Sequence, residues 1–114
     1  MSGFLAVNIE GVDPEAGAPA PDRVISGDPK FRTWNVEERG GDLYAGIWEA
    51  TPGKWRIVYD EWEFCHILSG VSVISEDGGE ARTVRAGDSF VLQPGFKGTW
   101  EVLETTRKEY VIKL

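Results

Sequence analysis

Short runs of apolar, aromatic and β-branched residues alternate with turn-forming residues along most of the chain. From residue 40 onward, Gly, Pro and Asp pairs recur about every 8–12 residues, apart from one longer gap after Pro52-Gly53. Eight runs stand out against these turns: FRTWNV, LYAGIWEA, KWRIVY, WEFCHIL, VSVIS, SFVLQ, TWEVL and KEYVIKL. No window carries a sustained helical stripe of apolar residues with a cap, so the pattern predicts an all-β protein with almost no helix.

The first thirty residues follow a different pattern. Residues 10–30 are rich in Pro, Gly and Ala, which predicts an extended arm laid along the rest of the protein. At 114 residues the chain has the length of one domain. We therefore expect a single domain over residues 1–114, with an N-terminal strand and arm in residues 1–30 and a barrel in residues 31–114.

Composition excludes several kinds of site and partner. The formal net charge of −7 argues against a nucleic-acid partner, because binding to phosphates relies on clustered Lys and Arg. A single Cys rules out an intramolecular disulfide, and a single His rules out sites built from two or three histidines. No stretch approaches the roughly 20 apolar residues of a membrane helix. The free Cys and the lack of an export signal predict a cytoplasmic protein.

The central residues 53–100 resemble the two motifs of the cupin superfamily. Glu63 precedes Gly70 by seven positions, as in the first motif, and the Gly87-Asp88 pair leads to Gly95, as in the second. Gln93 stands where the second motif has proline. Four further segments are similar to ureidoglycine aminohydrolase-like and ethanolamine-utilisation-type cupins: WEATPG at 48–53, EFCH at 63–66, GFKGTW at 95–100 and RKEY at 107–110. The resemblance implies a single-domain double-stranded β-helix, the cupin jelly-roll barrel, made of two antiparallel sheets.

The same resemblance implies where a metal-binding cupin holds its ligands. Two His precede the motif Glu and a third follows the second motif's Gly, but here only the Glu, Glu63, is present. The other slots hold Ile57 and Tyr59, or Arg56 and Val58, and Gly98. One carboxylate does not hold a divalent metal, since zinc takes three or four protein ligands. We therefore expect no metal cofactor, and a weak divalent ion at Glu63 and Cys65 is the only alternative left open.

Strand alternation separates the chemically active side chains of residues 62–68. Cys65 shares a face with Glu63 and Ile67, whereas His66 points to the opposite face. Adjacent Cys65 and His66 therefore cannot act as a nucleophile and its base. Ser69 and Ser89 are expected to share no face with His66, which argues against serine hydrolysis.

The other face of the same strand is also apolar. Trp62, Phe64, His66 and Leu68 lie on it, although a half-exposed antiparallel strand should alternate apolar and polar residues. A bare apolar face of this kind marks a partner surface. We expect a homodimer to cover it, and the alternative is cover within the chain, by the second sheet or by the arm with Phe4, Leu5 and Val7.

Glu63 is the main candidate for function, since the resemblance places it inside the barrel. A buried carboxylate needs a partner, and Arg56 or Tyr59 could supply one. The expected ligand-binding residues are Arg56, Tyr59, Glu63, Cys65, Lys97, Trp48 and Trp100. Three functions remain open. The first is a small-molecule binding module. The second is an aminohydrolase- or isomerase-like enzyme that acts on a small metabolite, with Glu63 as the catalytic general acid or base. The third is a structural or regulatory subunit whose barrel is packed shut.

Overall fold

The computed structural model describes residues 2–114 and is built almost entirely from antiparallel strands. Nine strands follow one another: β1 (Glu15–Gly17), β2 (Val24–Gly27), β3 (Phe31–Arg39), β4 (Leu43–Ala50), β5 (Gly53–Val58), β6 (Trp62–Glu76), β7 (Ala81–Arg85), β8 (Ser89–Leu92) and β9 (Lys97–Lys113). The only helical segment within residues 2–114 is a 3-10 turn at Pro21–Arg23. The structure confirms the all-β prediction.

Two long strands, β6 and β9, join the two halves of the barrel. They pair along their whole length, from Trp62 opposite Lys113 to Glu76 opposite Gly98. On its other edge β9 pairs first with β5 and then with β4. One half of the barrel therefore has the order β1-β3-β4-β9-β6-β8, and the other has β2-β5-β9-β6-β7. These are the two antiparallel sheets that the cupin resemblance implied, with two strands shared between them.

A bend at Gly70 lets β6 pass from one sheet to the other. WEFCHIL and VSVIS, which the sequence presents as separate runs, are therefore parts of one strand. The pairing register shifts at three points between Ile67 and Ser72. Gly70 has a φ of +87°, and a Cβ there would lie 2.1 Å from the carbonyl oxygen of Thr105. The motif glycine is thus required by the close approach of two strands as well as by its backbone angle.

The N-terminal arm contributes two edge strands. β1 pairs with β3, and β2 pairs with β5. The arm is also held by the indole of Trp34, which donates a 3.1 Å hydrogen bond to the carbonyl of Val12. Before this point the side chains of Phe4, Leu5 and Val7 are exposed. These three apolar residues of the arm are therefore not buried against the barrel.

The core lies between the two sheets and is rich in indole rings. Trp55 and Trp100 are stacked with their rings 10° apart, and Trp48 meets Trp100 edge-on. The Trp100 indole donates to the Ser72 hydroxyl, which is bonded to Thr106, so the buried polar atoms are paired. The tryptophans expected to wall a cavity therefore form one cluster.

Among residues 2–114 there is no helix of the length and hydropathy needed to cross a membrane. The cytoplasmic location stays a prediction from composition.

Candidate functional site

A cavity of about 530 Å³ lies inside the barrel and reaches solvent at one end. Inward-facing side chains of β3, β4, β5, β6 and β9 line it, together with Glu15 of the arm. Alternate residues of these strands face the interior, as strand geometry requires. The cavity has indole rings on its walls and a charged group at its inner end.

Glu63 is the carboxylate at the inner end, and both of its oxygens are engaged. The Tyr59 hydroxyl donates to Oε1 at 2.5 Å, and the Lys108 ammonium donates to Oε2 at 2.9 Å. The side chains of Glu63 and Lys108 are each only 4% exposed. Glu63 therefore faces the barrel interior as the cupin resemblance implied, and Tyr59, rather than Arg56, is its partner from the preceding segment.

The Lys108 ammonium also contacts two aromatic faces. Its Nζ atom lies 4.3 Å from the centre of the Trp48 ring and 4.5 Å from that of Trp100. An ammonium over an indole face is attracted by the ring quadrupole, and more strongly where water is excluded. Two rings and one carboxylate together compensate the burial of this lysine.

The protonation states follow from these contacts. Burial opposes the charge of Lys108, but neighbouring Cys65 and Glu63 outweigh it, so the pKa of Lys108 is raised above its usual value. Burial and the nearby Glu63 charge raise the pKa of Tyr59 well above its usual value. Lys108 is therefore a cation at neutral pH and Tyr59 a neutral donor. A permanently protonated lysine is a poor nucleophile, which argues against covalent chemistry at Lys108.

Cys65 lies behind the inner end of the cavity and is fully buried. Burial is the main cause that raises the pKa of the Cys65 thiol to about 12. The thiolate is the nucleophile and the metal ligand, so this thiol is inert at neutral pH. Since a neutral thiol carries no charge, Glu63 is the group that holds Lys108 protonated at neutral pH.

Three expected ligand-binding residues do not line the cavity: Cys65, Arg56 and Lys97. Arg56 faces outward, and its guanidinium forms a two-pronged ion pair with Asp77. Lys97 is exposed at the start of β9. Trp48, Tyr59, Glu63 and Trp100 do line the cavity. Neighbouring residues of a strand point to opposite faces, so Arg56 faces outward because Ile57 faces inward. The Glu63–Arg56 pair, one of the two alternatives from the sequence, is therefore not formed.

Sequence reasoning missed several polar residues of the cavity, among them Lys108, Tyr110 and Asn35. The Tyr110 hydroxyl donates a 2.9 Å hydrogen bond to the amide oxygen of Asn35. A signal for two of them was present, because Lys108 and Tyr110 fall in phase with Trp100 and Val102 on the even-numbered face of β9. A lysine in phase with buried apolar residues indicates an inward charge that needs a partner.

The residues at Glu63 do not fit a divalent metal ion. Ile57 is buried in the apolar core, and Gly98 has no room for a side chain because a Cβ would lie 1.9 Å from the Ser75 carbonyl oxygen. Within residues 2–114 no three His, Cys, Asp or Glu side chains are placed to share an ion. The Lys108 ammonium already occupies the carboxylate that a metal would need.

His66 and Ser89 share the outer face of the barrel, contrary to the sequence expectation. They are opposite each other in the β6–β8 ladder, and His66 Nδ1 lies 2.7 Å from the Ser89 hydroxyl. The expectation was wrong because alternation relates faces only within one strand. Whether residues of two strands share a face depends on the register between those strands. Neither residue lines the cavity inside the barrel.

The chain is similar to known proteins in sequence and in fold. Residues 37–110 match the family described as EutQ-like cupin domain. A protein of unknown function from Pseudomonas syringae pv. tomato is 27% identical with a TM-score of 0.79. The aligned region covers 88% of this chain but 43% of that one, so the chain spans less than half of that protein.

Two more distant solved structures share the fold. A predicted oxalate decarboxylase from Thermotoga maritima is 17% identical with a TM-score of 0.75, over 96% of this chain and 99% of that one. A putative ethanolamine utilization protein from Salmonella typhimurium is 15% identical with a TM-score of 0.66, over 97% and 98%. No curated protein matches the sequence at a significant level.

The Lys108–Glu63 pair makes a testable contribution to stability. Lys108→Met leaves a buried carboxylate without its counter-charge, which should lower the free energy of unfolding by about 3–5 kcal/mol. Adding Glu63→Gln removes the stranded charge and should recover part of this loss. Lys97→Met, on the same strand but exposed, is the matched control and should stay within about 0.5 kcal/mol. Urea denaturation measures all four proteins, and equal effects at positions 97 and 108 would contradict the pairing.

Proposed function

The chain belongs to the EutQ-like cupin family, and from that premise we propose that its barrel binds a small molecule without a metal ion. The observation that carries the proposal is the open cavity of about 530 Å³. Ligand pockets have volumes of about 300–1,000 Å³, apolar and aromatic walls and a few polar groups that orient the ligand. This cavity meets all three conditions.

The cavity combines aromatic walls with a small number of polar groups. Phe31, Trp48 and Trp55 meet one another at ring distances of 5.1–6.2 Å and form the aromatic side. Tyr110 and Asn35 supply a hydroxyl and an amide nearer to the open end. A ligand with an apolar body and a polar end fits this arrangement. A purely structural subunit with a packed barrel would have no use for the open volume.

The occupancy of Glu63 favours binding over proton transfer. Each carboxylate oxygen already accepts a hydrogen bond, from Tyr59 or from Lys108. A general base must lie within hydrogen-bond reach of the proton that it takes. Glu63 would have to release one of its partners first, so the catalytic role of Glu63 remains the second hypothesis.

A second copy of the chain is the partner we propose for the outer face. Phe64, Val91 and Val111 stand side by side there, on β6, β8 and β9, and Val91 is 37% exposed. The arm does not cover them in its own chain, since Phe4 is 81% and Leu5 56% exposed. A two-fold axis would bury both apolar surfaces at once, and two-fold dimers are the commonest oligomers. The proposed assembly is a homodimer with neither nucleic acid nor membrane as a partner.

Blocking the cavity should abolish ligand binding. Thr33→Trp places an indole in the cavity, whereas Thr83→Trp places one on the exposed face of β7. In a thermal-shift screen of small metabolites, at least one compound should stabilise the natural protein and Thr83→Trp but not Thr33→Trp. A ligand at about a hundred times its Kd stabilises by about 2.7 kcal/mol. Compounds that act equally on all three proteins would contradict binding in the barrel.

The purified protein should hold no stoichiometric transition metal. The reason is that the Lys108 ammonium and a bivalent cation would compete for Glu63, the one carboxylate at the inner end. Elemental analysis of untagged protein after dialysis is the measurement. Manganese, iron, nickel or zinc near one equivalent per chain would refute the metal-free proposal and direct attention to Glu63 and Cys65.

Charging the outer face should separate the dimer. Phe64→Lys puts an ammonium in the proposed interface and should yield monomers, while Leu103→Lys changes an exposed apolar residue elsewhere and should leave the dimer intact. Light scattering at micromolar concentration distinguishes the two states. A monomeric natural protein would end the dimer proposal.

A further inference from the structure

The charges that line the cavity are unbalanced. Four carboxylates and one ammonium contribute to its surface. Glu63 and Lys108 neutralise each other at the inner end, so the excess comes from Glu15, Glu38 and Glu61. Within residues 2–114 none of these three glutamates forms an ion pair. The open end of the cavity therefore carries three uncompensated negative charges.

Tyr59 and Tyr110, two phenols of the cavity, have raised pKa values. Burial is the main cause that raises the pKa of Tyr110 to about 12, and the charges of Glu63 and Glu15 add to it. The pKa of Tyr59 is also raised, mainly by burial and next by the charge of Glu63. Of the three unpaired glutamates, Glu15 adds to the rise in the pKa of Tyr110 and Glu61 to that of Tyr59, so their charge opposes a negative charge in the cavity.

Lys108 shows that the aromatic walls can hold a cation. Its ammonium lies against Trp48 and Trp100. Trp55 and Phe31 pack next to Trp48 and extend the same aromatic surface of the cavity. Since Lys108 is buried and already paired, it is not available to attract an anionic ligand from solvent. Indole faces together with nearby carboxylates recognise organic cations.

From this charge balance and these walls we propose that the ligand of the barrel is a small organic cation, an amine or a quaternary ammonium compound. The inference rests on the proposed function and specifies its ligand class. The three glutamates at the open end, Glu15, Glu38 and Glu61, are the rim glutamates, and they attract the positive group. The aromatic side contacts the apolar surface of its substituents. A small aliphatic carboxylate of the same shape is excluded by the rim.

Three compounds of nearly equal shape test the ligand class: choline, 3,3-dimethylbutan-1-ol and 3,3-dimethylbutanoate. The first carries a positive charge, the second is neutral and the third carries a negative charge, and quenching of tryptophan fluorescence at low ionic strength reports their binding. We expect choline to bind about tenfold more tightly than the neutral alcohol and the carboxylate to bind least, because a desolvated cation–π contact is worth about one power of ten. Equal or tighter binding of the alcohol or the carboxylate, or no binding of choline, would overturn the cation proposal.

Variants that each remove one rim charge test the role of the rim glutamates. Glu38→Gln and Glu61→Gln should each weaken choline binding about fivefold at low salt, because each deletes one nearby attraction of surface strength. Glu104→Gln removes an exposed carboxylate that does not line the cavity and should leave the affinity unchanged. Added salt should weaken choline binding to the natural protein more than to the rim variants. Equal affinities for all the variants would contradict the role of the rim.

Failure of this inference differs from failure of the proposed function. If the barrel binds no small molecule, Thr33→Trp will respond to the metabolite screen as Thr83→Trp does. If it binds molecules that are not cations, Thr33→Trp will still abolish their effect, while choline will show no advantage over its neutral analogue.

Discussion

The ion pair between Lys108 and Glu63 is the constraint on which the site depends. A carboxylate and an ammonium are both withdrawn from water here, at a cost that their mutual attraction alone does not reliably repay. The neighbours of the pair supply the rest. Tyr59 donates to the second carboxylate oxygen, and two indoles face the ammonium. The tryptophans thus stabilise the buried charge of Lys108 in addition to filling the core.

The same pair explains why this barrel departs from a metal-binding one. Glu63 keeps the inward position of the cupin motif, but a lysine from β9 supplies the positive charge. A lysine ammonium is a single charge fixed by its own chain, and it leaves no open coordination position. In the function that we propose, the cavity beyond it selects its ligand by shape, aromatic surface and rim charge, without Lewis-acid chemistry.

Much of the fold was predictable because it depends on local patterns. The runs between turns mark the strands, and Glu63, Gly70, Gly87 and Gly95 mark the cupin motifs. Gly70 is a particular case: a motif position in the sequence proves to be the bend at which β6 changes sheets against Thr105. The inward direction of Glu63 followed from the same resemblance and is confirmed.

The sequence by itself determined the strand content, and its resemblance to cupins added the two-sheet barrel and the inward Glu63. The single His of the chain does not supply the histidines of a metal-binding cupin. Only the tertiary structure decided which residues meet Glu63. Lys108 is forty-five positions away along the chain, and it meets Glu63 because β6 and β9 pair in one particular register. Arg56, much nearer in sequence, is turned outward by the pleat of its strand. Alternation fixes which residues share a face within a strand, but the register between distant strands fixes which charges meet, and register is set by the packing of the whole barrel.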